Sequence, residues 1–497
     1  MDKTIAKSIL KNTAVLMSSQ VITWTMSFIL LLFLPRYLGT VDYGRLYVAG
    51  SIMTIFLLFI DFGGRYSISK EVARNRDKVG EIAVDAIGIR IILWAISFII
   101  LIVFVMFTNY HRLEKALIII YGISMLWEGI RKVLWSCFQG FEQMRFPSIG
   151  AITDQIFVTI AAITALLLGA NFLIIGIIYT IGSFINFFIH LKYSSVIITE
   201  IPKFNFKGAL GLVKKGIPYF FWSIFGIIYY RVDAIMLSFM TPETVVGAYG
   251  AAYRFFDILM FIPSIFSIAV FPILSRIYKD KENLASTTTK SIDFIVLAGI
   301  PVSILIFIFA PNIIDLFYGL RQYSSSVIIL KIFSVGVILV YIDMILGTAI
   351  LASDKLKEWT LVAFGAVILN VGLNYIMIPY TQQYYHNGGI GAAIATLVTE
   401  LFVMLWALKI TPKENFYGAK PMTIIKALFA GIILFLIVYS LREIQIFWIL
   451  EAIFGFFIYL ILLFLFKVFE PKEVEFFKEY STLKNLKNII LPTKDIK

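Results

Sequence analysis

The sequence predicts an all-α integral membrane protein, with about fourteen transmembrane helices in two six-helix lobes and an appended helix pair. Apolar stretches long enough to cross a bilayer follow one another almost end to end, leaving no segment for a soluble domain. The composition agrees, with 60% hydrophobic and 15% charged residues and a mean hydropathy of +0.89, far from the balance of a soluble chain. Lys and Arg gather in alternate loops, so the positive-inside rule places both termini in the cytoplasm of a multi-pass plasma-membrane protein. The net charge of +12 is then mostly topological, with some attraction to anionic lipid headgroups, and implies no nucleic-acid partner.

The basic start, Lys3, Lys7 and Lys11, precedes a run of span length with no small-residue cleavage site, so it reads as a retained first span. The N-lobe, residues 1–215, contains spans near 12–34, 45–62, 83–107, 116–137, 148–169 and 172–191. The C-lobe, residues 216–415, contains spans near 216–240, 245–275, 288–311, 325–352, 359–380 and 388–408. Residues 416–470 hold the appended spans, near 421–441 and 445–466, and residues 471–497 form a cytoplasmic tail. Three basic inner loops, Arg65 to Lys78, Lys192 to Lys215 and Arg276 to Lys290, have the pattern of short amphipathic surface helices.

PRYLGTVDYGRLY, at Pro35 to Tyr47, is echoed by MTPETVVGAYGAAY, at Met240 to Tyr253, which makes Gly44 and Gly247 counterparts in an internal repeat. The alternative is two unrelated hairpins with glycine in the turn. Cys137 is the sole cysteine, so no disulfide forms within the chain, and the three histidines are scattered. No Walker, GxSxG or HExxH motif is present, and the predicted outer loops are short, so the chain reads as a non-enzyme rather than a membrane glycosyltransferase.

Ionisable residues within spans carry the functional signal, because each costs roughly 2.5–3.5 kcal/mol at mid-membrane unless it faces a cavity or a partner. Arg231 and Arg254 flank the outer turn at Thr241 to Thr244 at equal depth, roughly 17 Å into the core at 1.5 Å per residue. Their guanidinium groups suit phosphate oxygens or an acidic sugar, and Tyr229, Tyr230, Tyr249 and Tyr253 beside them offer faces for sugars. The alternative for Arg254 is neutralisation by Asp257, three residues on. Gln20, Thr23 and Ser27, with Trp24 beside them, form a polar helical face that suits a cavity wall, unless their hydroxyls bond their own backbone. Arg90 with Asp85, and Glu128 with Arg131, suit an inner gate or snorkelling. Asn370 and Asn374 make one polar strip, and Thr396 with Glu400 makes another.

PRYLGTVDYG, DFGGRYSISKEVAR at Asp61 to Arg74, RVDAIML at Arg231 to Leu237, VGAYGAAYR at Val246 to Arg254, FPILSR at Phe271 to Arg276 and the long segment from Asn370 to Glu400 occur in a telling order. With them the chain resembles the polysaccharide flippases of the multidrug/oligosaccharidyl-lipid/polysaccharide flippase superfamily over nearly its whole length. The resemblance implies a V-shaped, MATE-like architecture around a cavity open to one side at a time. It implies translocation of polyprenyl-pyrophosphate-linked oligosaccharide for surface polysaccharide such as O-antigen, with polymerase and glycosyltransferases as partners. The lipid II flippases that it resembles bind sodium with matching positions of the seventh, eleventh and twelfth spans. Carried over, Asp233, Asn370, Asn374 and Thr396 are metal candidates for a coupling cation, sodium or proton, with no other cofactor. Asn374 stands where those relatives have a carboxylate, which weakens such a site, and interhelical amide packing is the alternative. The rival within the superfamily is a cation-coupled multidrug exporter, which calls for an acidic cavity without central arginines.

Overall fold

A computed structural model of the chain describes residues 3–277, 280–416, 421–442 and 447–469, so the tail at 471–497 lies outside the described residues. All regular structure among these residues is helical. In lipid this follows from the backbone, whose polar groups find no water and must bond within each segment.

The first group comprises α1 (Lys3–Asp61), α2 (Gly64–Arg74), α3 (Val79–Met106), α4 (Arg112–Gly140), α5 (Arg145–Leu167) and α6 (Phe172–Ser194). The second comprises α7 (Phe206–Met240), α8 (Glu243–Leu259), α9 (Phe261–Ile277), α10 (Lys281–Tyr318), α11 (Leu320–Ala352), α12 (Leu356–Tyr385) and α13 (Gly388–Ile410). The appended pair, α14 (Pro421–Leu441) and α15 (Trp448–Leu465), packs on α10. Twelve described helical segments are long and apolar enough to cross a membrane. One of them includes both of the first two predicted spans, and α4, with Glu128, Arg131 and Lys132 along its length, is not counted among the twelve. Large apolar side chains such as Ile99, Ile160, Leu361 and Phe457 are exposed on the outer faces, where hydrocarbon would meet them.

Three local expectations are corrected. The predicted turn after the first span contracts to a kink: two helical stretches of α1 meet at Gly39, whose φ of 73° lies where only glycine is unstrained. The predicted span at 245–275 divides at Met260 into α8 and α9. Of the three inner loops, only the first holds a separate α-helix, α2, because Lys192 to Lys215 is shared between the ends of α6 and α7 and Lys290 lies within α10.

The repeat counterparts Gly44 and Gly247 touch. A Cβ on Gly44 would lie 2.7 Å from the carbonyl oxygen of Glu243 and 2.9 Å from the amide of Gly247, and one on Gly247 would collide with the Thr40 carbonyl. Contact this close needs glycine on both helices. Around this crossing, Arg45 pairs with Glu243 at 2.8 Å and with Asp42 at 3.2 Å. Tyr323 donates to the Pro35 carbonyl at 2.8 Å, and Tyr110 bonds Ser238 at 2.8 Å. The two helix groups are thereby joined at this end. At the other end of α7, Phe62 stacks on Phe220 with ring centroids 4.5 Å apart, and Lys215 pairs with Glu71 at 2.6 Å.

Candidate functional site

Between the two joined ends lies a cavity of about 1000 Å³. Both halves of α1 line it, together with residues of α4, α5 and α6 on one side and of α7, α8 and α9 on the other. Among its lining residues are Arg231 and Arg254, as the sequence predicts. They differ in their surroundings. Arg231 is partly exposed, stands 3.6 Å from the Asp257 carboxylate and lies over the Tyr253 ring at 5.7 Å. Arg254 is exposed and makes no ion pair among the described residues. The sequence alternative paired Asp257 with Arg254; the carboxylate instead reaches across to α7. Asp257 is therefore in ion-pair distance of Arg231 and not of Arg254.

The predicted tyrosines do not line this cavity. Tyr253 is buried and donates to the Tyr230 carbonyl at 3.1 Å, Tyr249 donates to Asp233 at 2.8 Å, and Tyr229 donates to Glu400. The aromatic wall is made instead by Tyr43 and Tyr47 on α1, Tyr121 on α4 and Tyr179 on α6, with Trp24 and Phe261. Tyr43 and Tyr47 sit one helical turn apart just after Gly39, a spacing visible in the sequence. On the first half of α1 the lining polar residues are Thr25 and Ser27 rather than Gln20 and Thr23. The Thr23 hydroxyl bonds the Gln20 carbonyl at 3.1 Å, so it is used within its own helix.

Arg90 is not a cavity residue. It is buried, pairs with Asp61 at 2.5 Å and donates to the Gly129 carbonyl at 2.6 Å. Its expected partner Asp85 accepts the Asn205 amide at 2.7 Å instead. The other expected pair forms, with Arg131 and Glu128 at 2.7 Å.

The metal candidates do converge. Asp233 on α7 accepts from Asn374 on α12 at 2.6 Å and from Thr396 on α13 at 2.7 Å, while Asn370 accepts from Asn374 at 2.9 Å. All four are buried, and the Oδ1 of Asn374 and the Nδ2 of Asn370 have no hydrogen-bond partner. A half-turn of the Asn374 amide would aim its oxygen at Asp233, an arrangement that only a cation or proton between them makes favourable. Carboxylate, amide and hydroxyl oxygens are hard donors, so the set fits a small hard cation.

Residues 9–278, over half of the chain, match the family model for polysaccharide biosynthesis proteins. The chain belongs to the polysaccharide biosynthesis protein family. A second model, MatE, matches residues 218–376. The family member is 22% identical over 377 residues to a probable low-salt glycan biosynthesis flippase of Haloferax volcanii, covering 75% of this chain and 77% of that one. It is 22% identical over 417 residues to the capsular polysaccharide biosynthesis protein CapF of Staphylococcus aureus, covering 80% and 97%. Among solved structures, the lipid II flippase MurJ in an inward closed conformation superposes with a TM-score of 0.73 at 19% identity, covering 91% and 98%. An inward-facing MATE transporter superposes with a TM-score of 0.65 at 14% identity, covering 78% and 94%. The fold is MATE-like.

Proposed function

We propose that this chain is a flippase that carries polyprenyl-pyrophosphate-linked oligosaccharide across the plasma membrane for surface polysaccharide synthesis, by alternating access and with both termini cytoplasmic. The observation that carries the reading is Arg254, exposed to a cavity of about 1000 Å³ and without an ion-pair partner among the described residues. An unpaired guanidinium at membrane depth is costly, and a pyrophosphate can take up its donors as a fork of charge-assisted bonds. Tyr43, Tyr47, Tyr121 and Tyr179 supply apolar faces and hydroxyls for attached sugars. Names given to the relatives, a glycan biosynthesis flippase, a capsular polysaccharide biosynthesis protein and a lipid II flippase, support the same cargo class.

Alternating access then requires the glycine crossing at Gly44 and Gly247 to part on one side. A cation held by Asp233, Asn370, Asn374 and Thr396 would bias that equilibrium by its difference in affinity for the two forms. The test is leaflet transfer in proteoliposomes. Wild-type protein moves a labelled polyprenyl-pyrophosphate glycan and Arg254→Ala does not; export of ethidium with no transfer of the glycan would replace the reading with a multidrug exporter.

A further inference from the structure

The cavity has a second polar wall that the arginines do not account for. Asp154 and Gln155 on α5 and Thr180 and Ser183 on α6 line it, with Tyr121 and Tyr179 close by in the same lining. The Asp154 carboxylate is fixed from behind: its Oδ2 accepts from Asn186 at 3.1 Å. Room for it is made by Gly182, where a Cβ would stand 2.5 Å from Oδ1. Asp154 makes no ion pair among the described residues, since the nearby Arg131 is taken by Glu128 at 2.7 Å. Ser183 is itself oriented, accepting from the Trp127 indole at 2.9 Å. Tyr179 stands within electrostatic reach of both Arg254 and Asp154, and all three line the same cavity.

A tethered carboxylate, a side-chain amide, oriented hydroxyls and tyrosine rings at one wall are what a pyranose needs. The carboxylate and amide accept hydroxyl or N-acetyl amide protons, and the rings cover an apolar sugar face. The same carboxylate repels an acidic sugar at that position. We infer that Asp154, with Gln155 and Tyr179, forms a saccharide subsite that grips the pyrophosphate-proximal sugar of the cargo and selects a neutral or N-acetylated amino sugar over a uronic acid. The inference rests on the flippase reading, with the phosphates at Arg254 and the first sugar at the Asp154 wall.

The experiment compares the binding of three radiolabelled probes to the full chain in nanodiscs: undecaprenyl pyrophosphate, undecaprenyl-pyrophosphoryl N-acetylglucosamine, and undecaprenyl-pyrophosphoryl glucuronic acid. Wild-type protein binds the amino-sugar probe most tightly. Asp154→Asn, which keeps the size of the side chain, lowers its affinity about tenfold, the loss expected for one charged hydrogen bond. The same variant narrows the gap to the glucuronic acid probe and leaves the bare pyrophosphate unchanged, which also shows that it is folded. Gln155→Ala follows the same pattern more weakly. Equal losses on all three probes, or no change on any, overturn the subsite while leaving the arginine reading standing. Wild-type protein that binds none of the three overturns both.

Discussion

Replacing Gly247 with alanine sets the lobe crossing against a single methyl group. Its Cβ would overlap the Thr40 carbonyl and lie 2.7 Å from the Thr40 carbonyl carbon. The obstruction is backbone, which cannot rotate aside as a side chain can, so α1 and α8 must separate. Overpacking of this kind costs about 1–3 kcal/mol, and only in the conformation that has the crossing closed. The equilibrium between closed and open crossings then shifts about 5- to 150-fold toward the open form. The readout is the distance between spin labels at Tyr37→Cys and Arg321→Cys, which are exposed on α1 and α11 at the joined end. Cys137, the only native cysteine, is buried and stays unlabelled. The Gly247→Ala distribution gains a longer component at the expense of the shorter. An unchanged distribution in a folded protein would refute the view that glycine contact holds this end together.

Arg90→Ala leaves the largely buried Asp61 without its partner and lowers stability by up to about 3–5 kcal/mol, which a thermal melt in detergent reads as failure to reach the wild-type midpoint. Were Arg90 a cavity residue, the melt would be untouched and cargo binding would fall. Glu114 lies at the start of α4 before the membrane-spanning part; burial, with Glu243 nearby, raises its carboxyl to about 7. Its folded form favours the proton, so stability is present at low pH and lost as pH rises from the ordinary carboxylate range through about 7. Glu114→Gln therefore matches wild type at pH 5 and exceeds it at pH 8 by up to about 3 kcal/mol; equal midpoints at both pH values would contradict this. Sodium raises the melting midpoint of wild-type protein over the same concentration of choline, and Asp233→Asn abolishes the difference. A sodium shift that survives in the variant would place the ion elsewhere.

Much of the architecture was legible in the sequence because a bilayer leaves only long apolar helices to be found. The place of Arg254 in the cavity lining was legible for a related reason, since an arginine within a span must face a cavity or a partner. The tyrosines were not. Tyr253 and Arg254 are neighbours in sequence, yet adjacent helical residues point about 100° apart, so Tyr253 turns into the core while Arg254 enters the cavity. Which side of α8 meets the cavity depends on the Gly44 and Gly247 contact, a tertiary fact that spacing along one helix cannot supply. Arg90 failed for a similar reason, as its partner Asp61 lies on a different helix rather than one turn or so away. The Asp233 cluster draws on three helices, α7, α12 and α13, so spacing along any one of them shows only its Asn370 and Asn374 strip.

In the proposed flippase, Arg254 holds the phosphates of the cargo. Its most direct test is the affinity of Arg254→Ala for undecaprenyl pyrophosphate against undecaprenol in nanodiscs. The expected result is a loss of at least about tenfold for the pyrophosphate, none for the alcohol, and partial recovery in Arg254→Lys, which restores charge without the fork. Undiminished pyrophosphate affinity in Arg254→Ala would contradict it.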